Sequence, residues 1–193
     1  MTRKFLDDVR TQVDTLLADN NAGDISPLDV RTVLNNIIDS TIQDEAQLAS
    51  TAAFTPYTLS VGSYAVIGGS GVYDTSRGDD GDWLNINLNA GTVTGSATPG
   101  YSYTVKAGVT FSGLANNEVV DLAIGVNDTP QGFVTNIVGD GGSRPGSRYW
   151  EGGVLTAGTS DVFSIMAQTD TAGTIQIDAI TLTVIVEPTN NAT

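Results

Sequence analysis

The pattern of apolar and polar positions changes near Ser50. Before that point apolar residues recur every three or four positions, as in short amphipathic helices. After it they alternate with polar residues and are interrupted by glycines, as in β-strands. The sequence therefore predicts a helical segment over residues 1–50 and a mainly β domain over residues 51–193. This division favours a protein in which one part attaches or assembles and the other is displayed.

The first segment predicts two amphipathic helices. The apolar stripe of the first helix is Leu6, Val9, Val13 and Leu16. Ser26 followed by Pro27 is typical of a helix start, because the hydroxyl caps free N–H groups and proline fits the first turn. The stripe of the second helix is Val30, Val33, Leu34, Ile37 and Ile38.

Both helices are too short to be stable alone, so their stripes need a partner surface. The pattern is equally compatible with packing against the β domain of the same chain and with self-association or docking on another protein. We assign the stripe residues of both helices to attachment or oligomerisation. The stretch from Thr41 to Ala53 is polar and alanine-rich, which is compatible with a helical extension or a linker, so we place the domain boundary there.

The second segment predicts strands. Apolar and polar residues alternate without a break from Tyr101 to Ser112, as one buried face requires. In the last strand the apolar positions change phase near Ala179, which predicts a bulge or bend and lets one long strand serve two neighbours. Many strands and frequent turns without intervening helices predict an antiparallel jelly-roll sandwich, with an immunoglobulin-type sandwich as the alternative.

Composition removes several classes of function. The 193 residues include no cysteine and no histidine, which excludes disulfides, thiolate chemistry and histidine-based catalysis or metal binding. The net charge is -14 and the only lysines are Lys4 and Lys106, so the surface should repel nucleic acid. No apolar stretch approaches membrane-spanning length, and residues 1–8 lead into acids, so we expect neither membrane insertion nor an export signal.

Two acidic features carry little specific signal. The loop from Asp74 to Asp82 is rich in carboxylates that suit calcium, but it lacks the EF-hand spacing, so we favour a solvated turn and predict no metal or cofactor. Glu118 and Glu151 are available for glycoside cleavage, which needs two carboxylates at a set separation. Because two carboxylates occur in nearly every protein, we predict no catalytic residue.

The stretch from Gly139 to Trp150 is a candidate surface binding loop. It combines glycines with two arginines and two aromatic residues, and the candidate residues are Arg144, Arg148, Tyr149 and Trp150. Such a loop is suited to a glycan or to a neighbouring subunit. The alternative is an ordinary strand connection whose Trp150 enters the core.

Parts of the chain resemble phage virion proteins. The succession Tyr101–Val109, Val119–Asn127, Leu155–Ile165 and Ile177–Val184 resembles the strand rhythm of tumour-necrosis-factor-like jelly rolls in tailed-phage virion proteins. The amino-acid sequence from Asp24 to Arg31 and from Ile37 to Ser40 is similar to segments near the start of phage head-fibre, decoration and tail proteins.

The resemblance implies a non-enzymatic virion structural protein of capsid-decoration or head-fibre type. It implies a homotrimer on the particle surface, assembled in the host cytoplasm. The amino-terminal segment would be fixed to the major capsid protein or another virion protein, with the jelly roll projecting outward. The alternative is a tail or fibre receptor-binding module for a host surface glycan, and a polysaccharide-cleaving enzyme is a third, weaker hypothesis.

Overall fold

The computed structural model describes residues 15, 28–34, 44–50, 56–69, 71–78, 84–95, 101–141, 145–155, 160–171 and 173–188. Residues 28–34 are helical. The strands, in chain order, are β1 (Asp44–Ser50), β2 (Tyr57–Thr58), β3 (Ala65–Val66), β4 (Thr75–Arg77), β5 (Leu84–Asn87), β6 (Thr92–Gly95), β7 (Tyr101–Ser112), β8 (Val119–Val126), β9 (Thr129–Val138), β10 (Gly146–Leu155), β11 (Asp161–Thr169) and β12 (Thr174–Pro188).

These strands form two antiparallel sheets. The first sheet has the order β10-β7-β12-β1-β4, and β2 also pairs with β12. The second has the order β5-β6-β11-β8-β9, and β3 also pairs with β11. From β6 to β12 the chain passes repeatedly from one sheet to the other. The β unit, Asp44–Glu187, is therefore a jelly-roll sandwich, and the predicted fold class is confirmed.

The core lies between the inner faces of the two sheets. In β7 the alternation predicted from the sequence is present, since Tyr103, Val105, Ala107, Val109 and Phe111 are at most 3% exposed and the intervening side chains are not fully buried. The rings of Tyr103 and Phe163 join the sheets, with centroids 4.7 Å apart. A buried valine or phenylalanine side chain of this kind contributes about 1.5–3 kcal/mol through removal of apolar surface from water.

The long closing strand β12 changes phase as the sequence predicts. Ile175 and Ile177 are buried in its first half, whereas Ile180, Leu182 and Val184 are buried in its second half. The first half pairs with β2 and the second half with β1. One edge of β12 thus serves two neighbours, with the change of phase at residues 178–179, while its other edge pairs with β7.

The structure corrects the prediction for the segment before Ser50. Asp44–Ser50, expected as a helical extension or linker, is strand β1, which lies between β12 and β4 in the first sheet. Ala46 and Leu48 are completely buried, because pairing on both sides places this strand in the interior of the sheet. The β unit accordingly begins before Ser50, while the division into an attachment part and a displayed part stays a prediction.

Candidate functional site

The structure describes only part of the predicted attachment stripe. Leu6, Val9, Val13, Leu16, Ile37 and Ile38 lie outside the described residues. Val33 is 3% exposed, whereas Val30 and Leu34 are 40% and 52% exposed. Thr32 Oγ1 donates to the carbonyl of Leu28 at 2.9 Å, one turn back along the helix. The described part of the stripe is therefore buried at one position and open at two.

Three of the four candidate residues of the predicted binding loop lie on a strand. Arg144 lies outside the described residues, but Arg148, Tyr149 and Trp150 belong to β10, at the edge of the first sheet. The loop conformation expected for these three residues was wrong, because β10 pairs with β7 along its whole length, from Gly146 opposite Phe111 to Leu155 opposite Ser102. Their binding role stays a prediction. The glycines around this segment concealed a regular strand.

Arg148 and Trp150 lie on one face of β10 and Tyr149 lies on the other, because side chains alternate along a strand. Trp150 is paired with the buried Ala107, is half-buried, and has an indole N–H with no hydrogen-bond partner among the described residues. Trp150 thus faces the sandwich, as the alternative interpretation of the loop expected. Arg148 is exposed and its Nη1 donates to the carbonyl of Ser147 at 2.9 Å. Tyr149 is 68% exposed and projects from the outer face of the first sheet.

Tyr149 lies against a glycine. Gly108 is its partner in β7, and a Cβ atom there would lie 3.3 Å from Tyr149 Cδ2 and 2.8 Å from Thr181 Oγ1 of β12. Any larger residue at position 108 would collide with Thr181 and displace the ring. The absent side chain therefore lets the tyrosine rest on the sheet next to β12.

Two cross-strand pairs flank Tyr149 on the same face. Lys106 Nζ lies 3.8 Å from Glu151 Oε2, and the hydroxyls of Thr110 and Ser147 are 3.0 Å apart. Each pair is directly opposite in the β7–β10 register. The ion pair is partly exposed, so it contributes about 1 kcal/mol or less. Its main effect is to fix the polar border around the ring.

An open depression of about 300 Å³ adjoins the tyrosine. Its lining residues are Gly108, Val109, Thr110, Ser147, Arg148, Tyr149, Ala179, Ile180 and Thr181. The change of phase in β12 and the glycine in β7 both reduce the side-chain bulk at its floor. The outer face of the first sheet around Tyr149, here called the Tyr149 face, thus combines a projecting ring with a shallow hollow.

The charges of the β unit are distributed unevenly between the sheets. Its described basic residues are Arg77, Lys106 and Arg148, and all three lie on strands of the first sheet. The strands of the second sheet contain no lysine or arginine, but they include Asp121 and Asp161. The first sheet is therefore of mixed charge, whereas the second is acidic.

The carboxylates considered for catalysis do not face each other. Glu118 is 6% exposed, and its oxygens accept from the backbone N–H of Ala115 at 2.8 Å and from Thr169 Oγ1 at 3.3 Å. Glu151 pairs with Lys106 on the first sheet. Glu118 holds together the loops at one end of the second sheet, which is a structural role.

The acidic loop prediction lies mostly outside the described residues. Asp79, Asp80 and Asp82 are not described, whereas Asp74 is exposed. Within the described part of the chain, no group of three or more metal-ligating side chains is present. In the same residues no helix has the length and apolar character needed to cross a membrane.

Comparisons with known proteins give structural similarity only. No protein-family model and no curated protein matches the chain. Among solved structures it is similar to the PRD1 vertex protein P5, at 13% identity over 76% of this chain and 74% of that one, with a TM-score of 0.47. It is also similar to murine APRIL (11% identity, 75% and 98% covered, TM-score 0.43) and to Eiger TNF from S. frugiperda (7%, 78% and 97%, 0.44). These likenesses concern the fold, whose jelly-roll assignment follows from the strand order itself.

Sequence reasoning found Tyr149 but missed the residues that support it. Gly108 and Thr181 are distant in the sequence, and only the strand order β10-β7-β12 brings them together. The interruption of the β7 alternation by a glycine at an outward position was the one available signal, because glycine within a strand often marks a close approach.

Proposed function

We propose that this chain is a non-enzymatic structural protein of a bacteriophage virion, of capsid-decoration or head-fibre type, that assembles as a homotrimer. The virion setting takes its support from the resemblance of the strand and helix segments to phage virion proteins. The observation that carries the assembly is the Tyr149 face. It is an outward sheet surface of mixed charge with one large aromatic side chain beside a hollow.

Charge favours this face for contact between copies. A chain of net charge -14 repels its own copies, and an interface is least costly where acids and bases are interspersed. Lys106 and Glu151 provide charges of both signs beside Tyr149, whereas every charged residue on the strands of the second sheet is acidic. The first sheet is therefore the surface on which a neighbouring copy docks with least repulsion, and in a trimer that neighbour contributes a different surface of its own.

Tyr149 has the properties of an interface anchor. Exposed tyrosines contribute strongly to protein contacts, because the ring buries a large area at low entropic cost. Here the ring is already held against Gly108 and bordered by Thr110 and Ser147. The sheet at Gly108 restricts the ring on one side, which reduces the conformational freedom lost when a second copy covers it.

The helical segment supplies the attachment in this proposal. Val30 and Leu34 are apolar and exposed on the same helix, and a partner surface that covered them would remove apolar area from water. The partner would be the major capsid protein or another virion protein. The jelly roll would then be displayed outward.

Replacement of Tyr149 by alanine tests the assembly. Sedimentation velocity over a range of concentrations should give a trimer for the unchanged protein. Tyr149→Ala should cost about 2 kcal/mol at each of the three interfaces of the trimer, a factor of about 30 per interface for a buried tyrosine anchor. The trimer should therefore dissociate at concentrations at which the unchanged protein stays assembled. The matched control is Tyr64→Ala, which removes a partly exposed tyrosine outside the Tyr149 face and should leave the assembly unchanged.

Two results would contradict the proposal. The first is a strictly monomeric protein at all concentrations, and the second is its absence from purified particles by mass spectrometry. The copy number per particle distinguishes the two positions on the virion. A decoration protein is present in a number that scales with the number of capsomers, whereas a tail component is present in a few copies at one vertex.

A second candidate function uses the same face. Tyr149 stands beside the hydroxyls of Ser147, Thr110 and Thr181, an arrangement that suits stacking and hydrogen bonding with a sugar. A receptor-binding module of this kind would bind host glycans in a Tyr149-dependent way and leave the face open in the assembled particle. A glycan array with the intact protein separates the two functions.

A further inference from the structure

The second sheet presents an acidic surface without compensating bases. Asp121 lies on β8, Asp161 on β11, and Asp128 follows β8 directly. No lysine or arginine occurs from residue 107 to residue 143, which includes all of β8 and β9. Any partner that approaches this sheet meets a negative potential, and this favours a cationic one.

Strand β9 forms one edge of the second sheet. Among the described strands it pairs only with β8. Edge strands expose unpaired N–H and C=O groups, and proteins usually protect them with proline, charged residues or bulges. The first half of β9 has two such protections, since Pro130 lies there and the register shifts opposite Ala123–Gly125.

The second half of β9 lacks these protections. Residues Val134–Val138 are Val, Thr, Asn, Ile and Val, and they pair in regular register with β8. The segment contains no charge and no proline. It therefore offers a regular edge to which another strand can add.

The other sheet edges are charged or short. Strand β10 carries Arg148 and Glu151, both exposed. Strand β4 has three residues and ends in Arg77, and β5 has four residues. Of the edges in the described structure, the second half of β9 is the long uncharged one.

Side chains on the outer face beside this edge form an apolar pair around a polar centre. Val134 and Val138 are each 53% exposed, and Asn136 lies between them on the same face. Asp121 is directly opposite Asn136 on β8, and its Oδ2 accepts from Gln168 Nε2 at 3.1 Å. Burial raises the pKa of Tyr64, and the nearby charge of Asp121 raises it further. The negative potential of the Asp121 carboxylate therefore extends to neighbouring residues.

We infer that Val134–Val138 docks an extended, basic segment of a partner protein, which adds a strand to the second sheet. The backbone of the segment pairs with the edge of β9 that faces away from β8, which no described strand pairs. Its outward side chains alternate as apolar, lysine or arginine, apolar, so that the outer two cover Val134 and Val138. The central cation extends over Asn136 toward Asp121.

The distances allow this arrangement. Adjacent strands are about 4.8 Å apart, so an added strand lies about 10 Å from β8. Lysine and arginine stems can span much of this distance along an apolar surface while the charged group stays hydrated. The polar centre selects a cation, and the two valines select the flanking apolar residues. An acidic segment of the same shape is repelled.

A designed peptide provides the probe. It is the acetylated and amidated heptapeptide Thr-Val-Thr-Lys-Thr-Val-Thr, titrated to about 2 mM against the full chain, a range that covers weak peptide affinities. Hydrogen–deuterium exchange then measures protection of the β9 amides, and fluorescence anisotropy of the labelled peptide measures affinity. The same peptide with glutamate in the centre is the charge control.

The expected results are specific to the edge. The lysine peptide should bind at least about 10-fold more tightly than the glutamate peptide and should protect amides in Val134–Val138. Val134→Lys or Val138→Lys should weaken binding about 10-fold or more, because lysine on an edge opposes strand addition. Val61→Lys is the matched control, since Val61 is 52% exposed and lies outside β9, and it should change binding less than about twofold.

Asp121→Asn separates charge from strand pairing. This substitution should weaken binding of the lysine peptide several-fold and remove most of the salt dependence of that binding, while the affinity of the glutamate peptide rises. Equal binding of the two peptides, wild-type affinity in Val134→Lys and Val138→Lys, or no amide protection at the highest concentration would each overturn the inference. Sedimentation of the same samples reports self-association independently, so failure of the proposed assembly and failure of this docking site are distinguishable.

Discussion

Replacement of Glu118 by alanine should destabilise the β unit by about 2 kcal/mol. The carboxylate accepts from the N–H of Ala115 at 2.8 Å, and a hydrogen bond to a charged group contributes about 1.5–3 kcal/mol. Thr169 loses less, because its Oγ1 also lies 3.0 Å from the carbonyl of Thr171 and can donate there instead. Water can reach the exposed Ala115 and offset part of the first loss, while the lost packing against Gly173 adds to it.

Thermal and urea unfolding at a fixed protomer concentration measure this effect. For a chain of this size, about 2 kcal/mol corresponds to a fall of about 6 °C in Tm. Glu118→Gln keeps an oxygen for the Ala115 N–H and should lose less than half as much. Glu45→Ala removes an exposed acid of the same type and should stay within about 0.5 kcal/mol. If Glu118→Ala and Glu45→Ala have the same Tm and the same free energy of unfolding, the buried carboxylate does not hold these loops together.

Two further predictions concern a buried hydroxyl and the start of the β unit. Burial, and then the neighbouring Tyr57, raise the pKa of the Tyr73 hydroxyl. Above about pH 10 the unfolded chain therefore releases the hydroxyl proton while the folded chain retains it, so the free energy of unfolding falls with rising pH. Because the Tyr73 hydroxyl has no hydrogen-bond partner among the described residues, Tyr73→Phe should be neutral or stabilising at pH 7 and should reduce the alkaline loss in urea titrations. A fragment of residues 44–193 should unfold cooperatively when followed by circular dichroism. A fragment of residues 51–193 should not, because it lacks β1 with the buried Ala46 and Leu48. Equal folding of the two fragments would contradict the interior position of β1.

The sequence was most informative where a strand has one buried face. The alternation from Tyr101 to Ser112 identified β7 with its orientation, because its apolar side chains from Tyr103 to Phe111 face the core. The change of phase near Ala179 identified a strand that pairs with two neighbours along one edge. In both places the local pattern and the tertiary environment agree, so a period of two was sufficient.

The sequence was misleading where small residues fill buried positions. In β1 the buried positions are Ala46, Leu48 and Ser50, which alternate correctly but include alanine and serine, residues that are weak strand formers or polar. Burial between β12 and β4 decides the conformation there. The same holds for β10, where glycines next to Tyr149 and Trp150 resembled a loop until the register with β7 was known.

The candidate site depends on topology more than on any local motif. Arg77, Lys106 and Arg148 are far apart in the sequence, and the strand order gathers them into the first sheet. The second sheet is left acidic by the same order, so the two surfaces should respond to salt in opposite ways. Added salt screens repulsion between copies of a chain of net charge -14 and thus favours self-association, but it weakens the attraction of a basic segment to Asp121. A single ionic-strength series therefore separates contact between copies through the first sheet from capture of a partner by the second.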